Sequence, residues 1–347
     1  MMVNISFLFG AGISKPSGLP LAKDLLDDIF GNKNGALDER LIEVMKHVKD
    51  SLGTDNYEDI YSVLKSLRLY YDGIYKNPAA VPYLEELKKY INKMYSYGIT
   101  DTCNMLCNYI DKVVCEKLQV PAKNIRGLDL LEQISKVKHI NIDIFTLNHD
   151  TILETVLTDS VSDGFENFED GLYIFSNKWD KKIRLHKLHG SIDWRPLYSR
   201  EQKKYIPGKF DLSKGDTYIE KSCEKHGYKY EKDYTKILTG TKIKEFEYNF
   251  GIYADLFNLF FSRLIESNIL FVSGYGWNDS AINLRILDWL QRSPENKLVL
   301  LHNEQKDPIP DFANKTFTQA AWGKNKIEFI NKWLSDTSID DIKRFFQ

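Results

Sequence analysis

Two short stretches carry side chains able to hold or deprotonate a sugar. In Phe145-Thr146-Leu147-Asn148-His149-Asp150 a hydrophobic run gives way to polar residues. The Asn148 amide can donate and accept toward a carboxamide or ribose hydroxyls, whereas the Asp150 carboxylate only accepts. In Leu185-His186-Lys187-Leu188-His189-Gly190-Ser191 a second run ends on an imidazole. With a pKa near neutrality, His189 can take a proton from a hydroxyl as a general base. His186 stands mid-run, three residues earlier, so it faces the other side of a strand and reads as structural. Position alone leaves duller roles open: Asp150 could cap the next helix, and His189 could be a structural hydrogen-bonder.

Glycine turns follow two further apolar runs. Val3 to Phe9 leads into Gly10-Ala11-Gly12-Ile13-Ser14. Glycines there permit a tight turn and bring backbone N–H groups toward a pyrophosphate, which a following helix N-terminus also favours. The dinucleotide fingerprint wants a third glycine where Lys15 stands, which disfavours a plain NAD-dependent dehydrogenase. By itself the motif is as consistent with a structural turn. Leu270-Phe271-Val272-Ser273-Gly274-Tyr275-Gly276-Trp277-Asn278-Asp279 repeats the strand–glycine–helix pattern and could hold ribose or phosphate from the other side. Leu298 to Glu304 ends on polar groups, Asn303 among them, suited to adenosine-ribose hydroxyls.

These segments need a scaffold that sets strand ends side by side. Runs with strand character lie at Val3–Phe9, His139–Leu147, Leu172–Phe175, Ile183–Leu188, Ile269–Ser273 and Leu298–His302. Helical periodicity appears at about 21–29, 149–158, 251–266, 279–291 and 324–334. Strand–helix alternation predicts an α/β, Rossmann-like parallel sheet covered on both faces, with ligands at the carboxyl ends of its strands. Between 31 and 136 the pattern is almost wholly helical, as in Leu41-Ile42-Val44-Met45-Val48 and Leu106-Tyr109-Ile110-Val113-Val114. The expected organisation is therefore a nucleotide-binding domain of 1–30 and 137–347 with an all-helical insertion at 31–136.

Within the first domain, 200–245 is polar, with twelve Lys/Arg against eight Asp/Glu, and reads as a flap. Its interleaved Tyr205, Tyr218, Tyr228, Tyr230 and Tyr234 keep single-stranded nucleic acid open as a partner of that stretch, although none is expected for the chain alone. The whole chain has 47 Lys+Arg, 49 Asp+Glu and a formal net charge of −2, so no global field draws it to nucleic acid or anionic membrane. Four cysteines at irregular spacings do not form a disulfide framework and fit a reducing cytoplasm. The N-terminus lacks a basic region and a cleavage site, and no apolar run reaches the roughly 18 residues of a bilayer span. A soluble, cytoplasmic protein is expected.

In this order, the five segments resemble the sirtuin family: a Gly-Ala-Gly-Ile-Ser loop, Asn-x-Asp after a strand, His-Gly, a second glycine turn and a terminal Asn. The resemblance implies phosphate contacts from Gly10, Ala11, Gly12 and Ser14, and nicotinamide and ribose contacts from Asn148 and Asp150. It further implies His189 as base, Gly274, Tyr275 and Gly276 beside the dinucleotide, and Asn303 at the adenosine ribose. It leaves out the helical block. It also departs from protein-deacylating sirtuins, because the chain has no Cys-x2-Cys pair and no Pro-Asp-Phe-Arg after the glycine loop. Cys223-x2-His226 is half a zinc site at best, so no metal is expected. Gly276 stands where a serine is usual.

Leu-Asn-x-Asp, Leu-His-Gly-Ser-Ile-Asp-Trp and Gly-Tyr-Gly-x-Asn-Asp look like the SIR2-like branch of bacterial antiphage systems. That resemblance implies a sirtuin-type fold, NAD⁺ as substrate and an NAD⁺ glycohydrolase with Asn148 and His189 catalytic, depleting NAD⁺ in antiviral defence by abortive infection. The alternatives are an NAD-dependent protein deacylase and an idle NAD or ADP-ribose sensor. Because a chain of this length has little room for its own sensing domain, a homo-oligomer, a second subunit or both are expected, with the helical block as contact surface.

Overall fold

The computed structural model describes residues 3–31, 37–74, 76–94, 98–119, 128–231, 235–303 and 326–346. Contacts divide the chain into two compact units: Met1–Leu19, Pro121–Ile237 and Tyr248–Gln347 form one, and Pro20–Val120 with Leu238–Glu247 form the other.

The first unit is built on short apolar segments too hydrophobic to leave either face in water, as buried parallel strands require. Strands β1 (Val3–Phe9), β2 (Ile140–Thr146), β3 (Val161–Ser162), β6 (Ile183–Lys187), β10 (Ile269–Ser273), β11 (Lys297–Leu301) and β12 (Ile327–Ile330) make a seven-stranded sheet. Its order is β12-β11-β10-β1-β2-β6-β3, and every pairing is parallel. Ile5, Phe7, Ile142, Ile144, Leu185, Phe271 and Val299 are fully buried in one continuous core. From β1 the chain adds β2, β3 and β6 on one side and then crosses to add β10, β11 and β12 on the other, so the sheet reverses between β1 and β10. In open α/β sheets such a reversal opens a crevice at the carboxyl ends of the strands.

The remaining strands form a second sheet. β4 (Gly164–Glu169), β5 (Leu172–Lys178), β7 (Trp194–Ser199), β8 (Lys204–Phe210) and β9 (Tyr228–Tyr230) are antiparallel, in the order β4-β5-β8-β7-β9. Leu172–Phe175 therefore belongs here and not among the parallel strands. The stretch read as a polar flap also changes character. It supplies β8, β9 and the helix Asp216–Lys225, and its Phe210, Ile219 and Cys223 close a small core with Leu172 and Leu197. One buried residue in two is enough for an antiparallel strand, so its polar composition concealed the sheet. Tyr234 lies outside the described residues.

Residues 326–334 likewise do not form a helix. Ile327 to Ile330 pairs in parallel with β11, and a 3-10 turn at Leu334–Asp336 follows. The run Ile-Glu-Phe-Ile is too short for periodicity to distinguish strand from helix. Residues 324 and 325 lie outside the described residues.

The second unit contains α1 (Ala22–Phe30), α2 (Glu39–Leu52), α3 (Tyr57–Tyr71), α4 (Val81–Met94) and α5 (Ile99–Leu118). Local signals bound these helices. The Asp38 carboxylate accepts the Arg40 amide at the start of α2, left-handed Gly53 ends it, and the Asn56 side chain accepts the Glu58 amide at the start of α3. The unit differs in extent from the 31–136 block expected from periodicity. It includes α1, whose Ile29 carbonyl accepts the Tyr109 hydroxyl at 2.8 Å and whose Asp28 pairs with Lys117. It also takes in Leu238–Glu247, where Thr239 donates to Asp111 at 3.0 Å and Lys244 pairs with Glu58 at 3.1 Å. The helix Asp129–Ser135 instead adds Leu130, Leu131 and Ile134 to the core of the parallel sheet. Among the described residues no helix is long and apolar enough to cross a membrane.

Candidate functional site

All five polar segments leave carboxyl ends of the parallel sheet. Gly10 follows β1, Asn148 follows β2, His189 follows β6, Gly274 follows β10 and Asn303 follows β11. β1 and β10 are neighbours, so their two glycine turns meet at the reversal. A Cβ on Gly10 would stand 2.5 Å from the Gly274 carbonyl oxygen, one on Gly12 2.6 Å from the Gly274 Cα, and one on Gly274, at φ +66°, 2.5 Å from the Ile13 nitrogen. Glycine is required here because the two turns pack backbone against backbone. The Gly10 amide donates to the Ser273 carbonyl and the Gly12 amide to the Gly274 carbonyl, while the Ile13 and Ser14 amides close the 3-10 turn Ala11–Ile13. These four amides are thus engaged within the protein, and the N-terminus of α1 lies beyond a second 3-10 turn. Ala11 itself is exposed.

Ser14 turns toward a different cluster from the phosphate contacts expected of it. Its hydroxyl donates to Asp150 Oδ2 at 2.8 Å and accepts from Asn148 Nδ2 at 3.0 Å. All three residues are buried. Asp150 Oδ1 accepts the Ile152 amide at 3.1 Å, so one carboxylate serves both the start of the next helix and the Ser14 hydroxyl. Beneath it, the buried Lys187 ammonium donates to the Asp150 carbonyl and pairs with Glu154 at 2.9 Å. Burial pushes the Glu154 carboxyl up, against the pull of Lys187. Asn148 Oδ1 is buried and has no hydrogen-bond partner among the described residues. A buried carbonyl oxygen left in this condition costs about 1–3 kcal/mol unless another group supplies a donor.

His189 heads a second cluster. Its Nε2 lies 2.7 Å from the Tyr248 hydroxyl and 3.0 Å from Asp279 Oδ2, and Tyr248 donates to the same carboxylate oxygen at 2.8 Å. The three residues are 3–6% exposed, which keeps this network out of bulk water. Sequence reasoning missed Tyr248 and Asp279 as partners of the imidazole. Asp279 carried a readable signal, an aspartate opening a helix, and its Oδ1 indeed accepts the Ile282 amide at 3.1 Å. Tyr248 had none, since nothing local relates it to a strand end 59 residues away.

The two clusters are laced through the residue between Asn148 and Asp150. The Ile192 amide and the Ser191 hydroxyl both donate to the His149 carbonyl, and the His149 and His189 rings lie 6.2 Å apart between centroids. Gly190, at φ +74°, lets the chain leave His189 and pass the 236–237 segment, where a Cβ would stand 2.0 Å from the Lys236 carbonyl oxygen.

Other expected site residues stand apart from these clusters. The Tyr275 hydroxyl bonds the Asp279 carbonyl and Asn283 Oδ1, so its polar end braces the second glycine turn. Gly276 and Asn303 are exposed, and among the described residues no hydrogen bond ties either to the clusters. Glu304 lies outside the described residues. His186 is fully buried on Asp143. Among the described residues no group of three His, Cys, Asp or Glu could hold a metal ion, and Cys103, Cys107 and Cys223 are buried thiols.

An open, doubly wound parallel sheet with buried amide, carboxylate and imidazole groups at its carboxyl edge defines a ligand-binding α/β fold. The family model described as the SIR2-like domain matches residues 143–330, and the chain belongs to that family. Membership supports an NAD-related function of the sirtuin type. Among solved structures, one reported for the mechanism and regulation of Sir2 enzymes has 10% identity and a TM-score of 0.43, covering 99% of this chain and 93% of that one. One concerning sirtuin substrate affinity has 12% identity and a TM-score of 0.44 at coverages of 99% and 93%. A Sir2 protein bound to a propionylated peptide has 11% and 0.43 at 99% and 92%. Among curated proteins none matches the chain.

Proposed function

We propose that this protein is an NAD⁺ glycohydrolase, cleaving the nicotinamide–ribose bond with water to give nicotinamide, ADP-ribose and a proton. The observation that carries the reading is Asn148: a buried side chain whose Oδ1 lacks a donor among the described residues, fixed through Nδ2 to the Ser14–Asp150 pair at a strand's carboxyl end. A ribose hydroxyl or an attacking water would supply that donor. Asp150 and Ser14 hold the amide so that its oxygen is presented, and His189 takes a proton from the hydroxyl or the water. Each group contributes on the order of 10²–10⁴ in rate. The leaving group is already a cationic pyridinium, so its departure needs no general acid. With four amides of the first glycine turn engaged, the pyrophosphate is assigned to Ala11 and to the Gly274–Gly276 turn. Asn303 would meet the adenosine ribose.

Depletion of NAD⁺ in antiviral defence is the physiological role this activity would serve, with turnover held back until a trigger acts through a second subunit or self-association. Incubating the protein with NAD⁺, with and without an acetylated peptide, and separating products by chromatography tests the reading. Nicotinamide and ADP-ribose without peptide support it. Turnover only with peptide identifies a deacylase, and ADP-ribose binding without turnover under any activating partner identifies a sensor. Asn148→Ala and His189→Ala should each abolish turnover while the fold persists.

A further inference from the structure

We infer that Asp279 and Tyr248 are positioning residues that fix His189 with its proton on Nε2, so that Nδ1 carries the lone pair of the neutral ring. The Asp279 carboxylate only accepts hydrogen bonds. The Tyr248 hydroxyl spends its single proton on Asp279 Oδ2, at 2.8 Å, and so meets the imidazole as an acceptor. Nε2 therefore faces two acceptors, at 3.0 Å and 2.7 Å, and must be the protonated nitrogen. A neutral imidazole has one N–H, so the basic nitrogen is Nδ1.

Both positioning groups are themselves held. Asp279 Oδ1 accepts the Ile282 amide, while the Tyr248 ring stacks on Phe257 at 4.3 Å between centroids. A carboxylate beside Nε2 would also stabilise the imidazolium formed when the ring takes a proton. Only this consequence for rate rests on the hydrolase reading, since the tautomer does not.

Asp279→Asn is the decisive variant. The Ile282 amide can only donate, so the new side chain keeps its oxygen on that amide and turns its NH₂ toward Nε2, which forces the proton onto Nδ1. Histidine ¹⁵N labelling with long-range ¹H–¹⁵N correlation reads the tautomer directly at about pH 8, where an ordinary imidazole is neutral. The chain has seven histidines, and His189 is assigned by its absence in His189→Gln. The inference expects Nε2–H in the wild type and in Tyr248→Phe, and Nδ1–H in Asp279→Asn. An Nδ1–H wild-type ring overturns it, as does an Asp279→Asn ring that keeps Nε2–H. If Asp279→Asn fails to fold, the wild-type and Tyr248→Phe spectra still decide. In NAD⁺ turnover, Asp279→Asn should lower kcat about 10²–10⁴-fold with KM little changed, as a wrong tautomer does in other histidine-dependent sites. A flipped tautomer with kcat intact overturns the role of Nδ1 as base. A flipped tautomer in a protein that never turns over NAD⁺ leaves this inference standing and removes the hydrolase reading.

Discussion

His186 and His189 stand three residues apart, both are buried, and both place Nε2 within hydrogen-bonding distance of an aspartate, yet the two regions are built for different work. His186 lies between the rings of Phe145 and Trp179, each 4.9 Å away. The Arg184 guanidinium, 2.5 Å from Asp143, offsets the charge of its carboxylate. Burial lowers the His186 pKa, so at neutral pH an uncharged imidazole braces a charged Arg184–Asp143 pair. At His189 the carboxylate is shared with a hydroxyl, and the chain has just left the sheet edge where ligands bind. A histidine–aspartate pair in the wall of a sheet is a brace, and the same pair at the strand's end is a candidate for chemistry.

The largest effect should separate the two rings by activity. His189→Ala should cut NAD⁺ turnover by about 10²–10⁴ per folded molecule, whereas His186→Ala should leave it within a few-fold, with product release measured by chromatography. Equal losses would show that the contrast is not functional. The second effect separates them by stability. Asp143→Ala strands the Arg184 charge in the sheet and should cost about 3–5 kcal/mol in denaturant unfolding, again with turnover per folded molecule retained. A cost below 1 kcal/mol, a figure more usual for an exposed ion pair, would contradict the brace. Third, Gly190→Ala forces a left-handed alanine against the Lys236 carbonyl and should destabilise by about 2–3 kcal/mol. Because it also displaces His189, its kcat should fall more than that of Asp143→Ala.

Strands β1, β2, β6, β10 and β11 were legible as short apolar-rich runs, and their ends pointed to the candidate site through Gly10, Asn148, His189 and Gly274, whereas β3 was too short to be seen and β12 read as a helix. The antiparallel sheet was not legible, because β8 and β9 bury only alternate residues within a stretch rich in lysine and tyrosine. Tyr248 was invisible for another reason. A partner brought in from a remote segment leaves no periodicity at either end, whereas Asp279 announced itself by starting a helix. The glycines told only half their story: composition predicts a turn, but the mutual approach of two turns appears only when β1 and β10 are known to be neighbours.

The smallest effect is a pH slope, and it tests which charge state the brace holds. The folded pKa of His186 lies below its ordinary value because burial outweighs the Asp143 contact. A group depressed in this way contributes stability that is complete above the unfolded pKa, near 6.5, and is lost as pH falls toward the folded pKa. Asp143 adds a second loss of the same sign at lower pH. Burial alone would raise its carboxyl, but the His186 and Arg184 contacts hold it below 3.8, so its contribution is lost only on further acidification. Replacing His186 by glutamine keeps a donor to Asp143 and removes the titrating ring. Wild-type stability should therefore fall more steeply than that of His186→Gln as the pH drops below about 6.5, by at most about 1.4 kcal/mol per pH unit for one proton. Denaturant midpoints across that window measure the difference. A wild-type curve that rises relative to the variant on acidification would mean that His186 is an imidazolium in the folded protein. The mid-sheet pair would then resemble its counterpart at the edge after proton uptake, and the contrast between the two histidines would have to rest on position alone.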